Sequence, residues 1–426
     1  MSSICLGINP AFDASAVLLI DGEPVASIAE ERITKKKHHS YSVFNCIAKV
    51  LNDYAVKYEE LDAVVVCRHG LEECLKNEES KIALQKLKEQ SKQYCVCESH
   101  HLLHAYSVYY SSGFRQSSIL VMDGLGTHIK YLSDLGACPI ENESIFSGKY
   151  LGTAHESMTI YNAVGHRVHP VLRRLSTHNT GQFSKEDISI GRLYSYVSKK
   201  IFGSRFDAGK TMGLAPYGKD KDWKRAIAIS RNNVCVKSSF LQEVDSTSKS
   251  DVMHYADLAS VTQIAVEEAV LFRAKQARML TGQNYLCVSG GVFLNCVANN
   301  RLVCDSGFKN IFCISAAGDD GIALGAAIYA HVEVLQQEYE PKTFSPYLGP
   351  RTDTGDSANY PEGMIYEDRG ELISYVAKKL AQGHVIAWHW GRSEYGPRAL
   401  GNRSILASPA RVGVKDEVDP KIRTRG

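Results

Sequence analysis

Hydrophobic and polar positions alternate in short blocks at the start of the chain. ICLGIN (4–9) and SAVLLI (15–20) are apolar runs, and PVASIAE (24–30) follows the dipeptide Asp21-Gly22. Two apolar runs around Asp-Gly predict a hairpin, because these residues tolerate the positive φ of its turn. The first run leads in through a polar turn, Asn9 to Asp13, so three short strands are expected with a carboxylate, Asp13, in the first turn. Val43, Ile47, Val50 and Tyr54 then recur at helical spacing and predict a helix with one apolar stripe. DAVVVC (62–67) predicts a buried strand, and the charged stretch 71–93 predicts helix.

Residues 98–126 read ESHHLLHAYSVYYSSGFRQSSILVMDGLG. A helix carrying His100 and His104 is expected, then a turn at Ser112-Gly113 and a strand ending at Asp123-Gly124. HIKYLS (128–133) reads as a further strand. An apolar strand, a turn bearing Asp, and a second strand therefore occur near Asp13 and again near Asp123. This echo predicts two related lobes facing a cleft, and such α/β folds take ligands at the strand ends between lobes.

Residues 135–185 read as irregular, and their histidines His155, His166, His169 and His178 are expected at the surface or in a lid. A helix at 187–200, a Gly/Pro-rich segment at 208–219 and a long amphipathic helix at 256–281 follow. YLCVSGG (285–291) and NIFCIS (310–315) read as strands. Small residues Gly321, Ala323, Gly325, Ala326 and Ala327 are expected to let the next helix start approach a ligand closely. The chain turns polar and Pro/Gly-rich over 337–363, which reads as a linker. A helix (370–382), an apolar strand HVIAWHW (384–390) and GRSEYGPRALGNRSIL close the pattern.

Composition changes this picture little. At 426 residues, 44% hydrophobic and 23% charged, the chain has room for two or three globular domains. The formal charge of +2 offers no reason to expect nucleic acid or membrane partners, and Lys35 to His39 reads as a solvated basic turn. The N-terminus has no basic stretch leading into an apolar one, and no window matches a membrane span. The twelve cysteines lack a CxxC pair, and Cys95 and Cys97 are taken to face opposite sides of a strand. Reduced core thiols in a cytoplasmic protein are expected.

Chemistry enters with the paired histidines. Residues i and i+4 share a helix face about 6 Å apart along the axis, so two imidazoles can grip one cation. A carboxylate at the mouth of the next strand can add a ligand, and that mixture suits Fe, Mn, Zn or Ni over Ca or Mg. The plainer alternative is a helix with histidines at a wet boundary. Three turns look built for a nucleotide: the one bearing Asp13, Asp123-Gly124-Leu125-Gly126, and Ser289-Gly290-Gly291. Glycines there let backbone N–H groups reach phosphate or ribose. None is a P-loop, and the plainer reading of each is tight packing.

Taken in order, GINPAFDASA (7–16), EERITKKKH (30–38), HHLLHA (100–105), MDGLG (122–126), IGRLYS (190–195) and GKTMGLAPYG (209–218) span the first half. SGGVFLNCVAN (289–299), GDDGIALGAA (318–327) and GRSEYGPRALGNRSILA (391–407) continue the series. Together they resemble the actin/Hsp70/sugar-kinase (ASKHA) superfamily and its TsaD-like metal-containing branch. More closely still, they resemble the O-carbamoyltransferase family of antibiotic and nodulation-factor biosynthesis.

The resemblance implies a two-lobed ASKHA domain over 1–336, a linker over 337–363 and an incomplete YrdC-like segment over 364–426. It implies Fe(II), or another divalent transition metal, held by His100, His104, Asp123 and Asp319. Gly124, Lys210, Gly290, Gly291, Asn295 and Gly318 would hold the nucleotide, and Asp13 would be catalytic. Arg398, Asn402 and Arg403 would bind carbamoyl phosphate, a planar bidentate task for which Arg is suited; the alternative for the arginines is a surface ion-pair cluster. The implied chemistry moves a carbamoyl group from carbamoyl-adenylate, made from carbamoyl phosphate and ATP with Mg as a further candidate cofactor, to a small-molecule hydroxyl. AMP leaves. A separate YrdC-like chain or a second copy is the implied protein partner.

Two departures stand out. The family has histidine just before the Asp of the first turn, where this chain has Phe12, so His38 and His39 become candidates for the proton acceptor. The sequence also stops shortly after the YrdC-like segment begins. The alternative function is a non-enzymatic nucleotide- and metal-binding protein; a sugar kinase or hydrolase is weaker, since kinases of this fold do not need the paired histidines. The acceptor pocket is expected from 135–185 and 219–255.

Overall fold

Two five-stranded sheets, each built in the same order, carry the fold. In the first, β1 (Ile4–Asn9), β2 (Ser15–Ile20), β3 (Glu23–Ala29), β4 (Ala63–Cys67) and β5 (Tyr94–Cys97) lie as β3-β2-β1-β4-β5. The second uses β6 (Gln116–Met122), β7 (Ala154–Val164) and β8 (Arg167–Thr177). After a small separate hairpin, β9 (Ile227–Ile229) with β10 (Val234–Val236), it adds β11 (Tyr285–Ser289) and β12 (Asn310–Cys313), giving β8-β7-β6-β11-β12. In both sheets the first three strands are antiparallel and the last two join in parallel. The computed structural model describes residues 2–142, 153–177, 188–248, 251–350, 368–414 and 418. His178 and residues 351–363 of the expected linker lie outside it, as do parts of 135–185, 219–255 and 364–426.

The period-2 pattern explains the first sheet. Leu6, Ile8, Val64 and Val66 face an outer core shared with the helices Phe44–Asp53 and Glu78–Gln90. Cys5, Ala63, Val65 and Cys67 face the inner core. Both faces are covered, so every residue of β4 is buried and the strand reads as one apolar run. Asp21 and Gly22 both have positive φ (50° and 76°), the turn that Asp-Gly favours between β2 and β3. Val43, Ile47 and Val50 are buried as the stripe predicts, while Tyr54 ends the helix half in solvent.

The inner core passes without a break into the second lobe through the helices His100–Tyr110 and Ile322–Tyr329. Here one expectation is corrected. The small residues of 321–327 admit backbone, not ligand. A Cβ at Gly325 would stand 1.9 Å from the carbonyl oxygen of Leu103, and one at Gly7 would stand 2.0 Å from that of Ala323. The helix is thus wedged between β1 and the histidine helix.

The second lobe departs from the reading in one place. Ile129–Tyr131 is a 3₁₀ turn, and the strand that pairs with β6 is β7, inside the stretch read as irregular. The reason is polar burial. Glu156, Ser157, Thr159, Arg173 and Arg174 are buried on β7 and β8, so apolar alternation is broken by a charged network. Arg173 pairs with Asp134 at 3.0 Å and approaches Glu156 at 3.6 Å; Glu156 accepts from Ser99 Oγ at 2.9 Å. Cys95 and Cys97 are also corrected. Two positions apart on a strand, they share a face and both meet the inner core.

The described part of the expected linker is packed against the body. Tyr339 and Leu348 are buried, Lys342 N–H donates to Tyr110 O and Ser27 N–H to Leu348 O. Beyond it come the helix Arg369–Ala381, with no buried residue, and the pair β13 (Ile386–His389) and β14 (Arg403–Leu406). This segment is moored by Tyr395, whose hydroxyl donates to Asp320 O at 3.2 Å and whose carbonyl accepts from Ser315 Oγ at 2.8 Å. No helix among the described residues is long and apolar enough to cross a membrane.

Candidate metal centre and nucleotide cleft

Ser99 caps the histidine helix by accepting from Leu102 N–H, and Glu156 anchors Ser99 from behind. The start of this helix therefore presents His100 and, one turn on, His104 to the C-terminal end of β6, where Asp123 follows. Asp319 arrives from the turn after β12. The four side chains converge. His100 Nε2 lies 3.0 Å from Asp123 Oδ2, 3.1 Å from His104 Nε2 and 3.6 Å from Asp319 Oδ1. His104 Nε2 lies 3.6 Å from Asp123 Oδ2 and 3.7 Å from Asp319 Oδ1.

Those separations fit one cation. Donors about 2.1 Å from a common ion stand roughly 3.0–3.4 Å apart, depending on coordination geometry. His104 Nδ1 lies 3.1 Å from Ser289 Oγ, a partner that orients the ring and turns Nε2 to the cluster. His100 Nδ1 is buried without a hydrogen-bond partner. Burial and the charge of Asp123 push the Asp319 carboxyl well above its usual range. Burial would raise Asp123 too, but hydrogen bonds from His100 and His104 outweigh it and hold Asp123 well below. Two partly buried carboxylates and two buried imidazoles facing one point could together hold a divalent transition metal.

Sequence reasoning missed the shell around this group. His69 lies edge-on to His100 at 5.0 Å, and burial followed by the neighbouring histidines drives its pKa to about 3. His101 points away and meets Thr159 Oγ1 at 2.8 Å. The histidine cluster HHLLHA was the signal for His101; nothing in the sequence marked His69, Glu156 or Arg173.

A cleft of about 1170 Å³ opens on the cluster between the lobes. Asp13, Gly124, Lys210, Gly291, Asn295 and Gly318 line it together with Asp123 and Asp319. Gly290 underlies its floor. With φ of 102°, it packs so that a Cβ would stand 2.2 Å from Met122 O. Gly124 N–H donates to Asp123 Oδ1 at 2.6 Å. Lys210 pairs with Asp207 at 2.8 Å, and Asn295 caps the helix Cys296–Asp305 while exchanging hydrogen bonds with Gln263.

The carbamoyl-phosphate trio is divided. Arg398 lines the cleft, but Asn402 donates to Arg392 O and Arg403 pairs with Glu394 at 2.6 Å. The cleft is also lined by residues from outside the expected acceptor stretches, among them Tyr41, Arg68, Glu72 and Glu73. His155 and Tyr131, at or near those stretches, line it as well. His166 sits at the β7–β8 turn, where Gly165 has φ of 60°, and His169 lies on β8 opposite Asn162.

A smaller cavity of about 420 Å³ lies between the first lobe and Ser393–Pro397. Asp13, Lys37, His38 and Pro397 line both cavities. Phe12 itself is apolar to the cleft, tilted against Tyr41 at 5.5 Å, with the Arg205 guanidinium 5.0 Å from its ring centre.

Residues 72–328, more than half of the chain, match the family model described as carbamoyltransferase N-terminus, and 377–426 match carbamoyltransferase C-terminus. Nodulation protein NolNO of Sinorhizobium fredii is 29% identical over 97% of this chain and 61% of its own length. The 3'-hydroxymethylcephem-O-carbamoyltransferase of Streptomyces clavuligerus is 29% identical over 50% of this chain and 41% of its own. The chain thus spans less than two thirds of either relative. A solved structure, HypF of T. kodakarensis, is similar with a TM-score of 0.47 at 12% identity, covering 80% of this chain and 49% of that one.

Proposed function

The chain belongs to the carbamoyltransferase family, and from that premise we propose that its two-lobed ASKHA domain transfers a carbamoyl group from carbamoyl-adenylate to the hydroxyl of a small-molecule natural product. The observation that carries this reading is the convergence of His100, His104, Asp123 and Asp319 at the floor of the cleft that Gly124, Lys210, Gly291 and Gly318 also line.

A divalent transition metal, Fe(II) for preference, would be held by those four side chains and would act as a Lewis acid toward an anionic donor oxygen. The chain's own groups do the rest. Gly124, Gly291 and Gly318 line the cleft without side chains, so their backbone would let a nucleotide approach. Lys210 and Arg398 offer positive charge to its phosphate, and Ser289 keeps His104 in the metal-facing orientation. Arg403, committed to Glu394, acts by shaping the C-terminal segment beside the smaller cavity.

The test mixes the protein with Fe(II), carbamoyl phosphate, ATP and a panel of hydroxylated natural products, with and without a separately expressed YrdC-like chain. A mass gain of one carbamoyl group on an acceptor is expected. Tight AMP binding by calorimetry with no carbamoylated product under either condition would favour the alternative, a nucleotide- and metal-binding protein without turnover.

A further inference from the structure

Asp13 and His38, distant in sequence, meet where the two cavities join. His38 Nδ1 lies 2.8 Å from Asp13 Oδ1. We propose that His38, oriented by Asp13, is the group that takes the proton from the acceptor hydroxyl. The inference rests on the carbamoyl-transfer reading and supplies the base that Phe12 cannot.

The pair is held in place at a conformational cost. Asp13 has φ of 48° and His38 φ of 54°, both in the left-handed region that non-glycine residues avoid. Each such residue costs about 1–3 kcal/mol and persists only where surroundings impose it. The surroundings are visible. His38 N–H donates to Glu31 Oε2 at 2.9 Å, Ser40 Oγ donates to His38 O at 2.8 Å, and Ala14 N–H donates to His39 O at 3.0 Å. The His38 ring is stacked on Phe206 of the second lobe, with centroids 4.4 Å apart at 17°.

This arrangement selects a tautomer. A carboxylate accepting from Nδ1–H leaves Nε2 with the lone pair and stabilises the imidazolium that forms. The side chains are 27% and 31% exposed, so an acceptor can reach the ring. Two other histidines fit less well. His39 turns its Nδ1 to Thr34 Oγ1 at 2.8 Å and lines neither cavity. His155 lines the cleft, but its Nδ1 faces the Gly126 carbonyl, which brings no counter-charge.

In the step, the acceptor oxygen forms a bond to the carbamoyl carbon as its proton passes to His38 Nε2. The bond from that carbon to the phosphate oxygen breaks, and AMP leaves with the electron pair. The imidazolium then returns its proton to solvent.

With the acceptor found by the transfer assay, H38Q is expected to lower kcat about 10²–10⁴-fold. Acceptor KM and AMP affinity should stay within about threefold, and free imidazole should partly restore H38A. A kcat for H38Q within about threefold of the parent overturns the proposal. A second measurement does not need turnover. Nitrogen-15 imidazole spectra, with H38Q as the assignment control, should show Nδ1–H and a bare Nε2 at His38, and D13N should shift that balance. An Nε2–H tautomer in the parent, with transfer intact, refutes the base and spares the transfer reading. Absence of transfer to any acceptor removes the reading, and the proposal with it.

Discussion

The side-chain amide of Asn9 donates to the carbonyl oxygen of Asp319 at 2.8 Å, across 310 residues of sequence. The same amide serves Phe12 O at 2.8 Å. One fully buried side chain at the end of β1 therefore ties the turn carrying Asp13 to the turn carrying a candidate metal ligand. Truncating it leaves buried carbonyls unserved. Asn9→Ala should lower the unfolding free energy by about 1–3 kcal/mol and weaken divalent-metal binding; an unchanged urea midpoint together with unchanged metal affinity would sink this account.

His104→Ala should abolish stoichiometric metal uptake with the fold retained, read by elemental analysis beside circular dichroism. Ser289→Ala tests the orienting contact behind the ring and is expected to weaken metal binding roughly 10–100-fold. Full metal content in His104→Ala would refute the assignment of the site.

Gly325→Ala sets two effects against each other. Helix propensity favours alanine by about 1 kcal/mol. Yet the new methyl would stand 1.9 Å from Leu103 O, and backbone cannot retreat without parting the two central helices. Overpacking of this kind costs about 1–3 kcal/mol or more. Net destabilisation is expected in chemical denaturation, and a stabilised variant would show that the helix crossing is looser than described.

Glu394 gives a pH dependence. Burial opposes its ionised form, but the Arg403 side chain and backbone N–H donors prevail and bring its pKa down to about 2. A carboxyl depressed in the folded state stabilises above its unfolded pKa, about 4.3, and loses that contribution as pH falls toward 2. The docking of 392–406 should weaken over that window, reported by fluorescence of Trp388 and Trp390. Glu394→Gln should show the loosened signal already at neutral pH, and a flat parent signal from pH 5 to 2 would argue against the linkage.

Where side chains obey one period, the chain was legible. β1 to β4, the helix Ala256–Thr281 and the strand ahead of Gly290 lie where apolar spacing puts them. The Asp13 and Asp123 turns suggest two related lobes, but the strand after β6, expected at 128–133, lies instead at Ala154–Val164, where it pairs with β6. β7 and β8 were not legible, because their buried positions, on both faces, hold Glu156, Thr159, Arg173 and Arg174, whose partners come from Ser99, His101, Asp134 and Glu141. A pattern method sees a loop where the fold buries a salt-bridged network. At the site, paired histidines at helical spacing pointed to the centre. Asp13 and His38, by contrast, meet only through left-handed backbone at both residues, and sequence spacing does not reveal that.

The inner core is common to both sheets: Cys5, Val17 and Val65 share it with Leu120, Val288 and Ala326. Although the lobes repeat one another, neither is a self-sufficient half. Residues 1–97 expressed alone would turn one whole side of their sheet to water, and are expected to aggregate where the intact chain stays dispersed in light scattering. The duplication visible in the strand order has become a single indivisible folding unit.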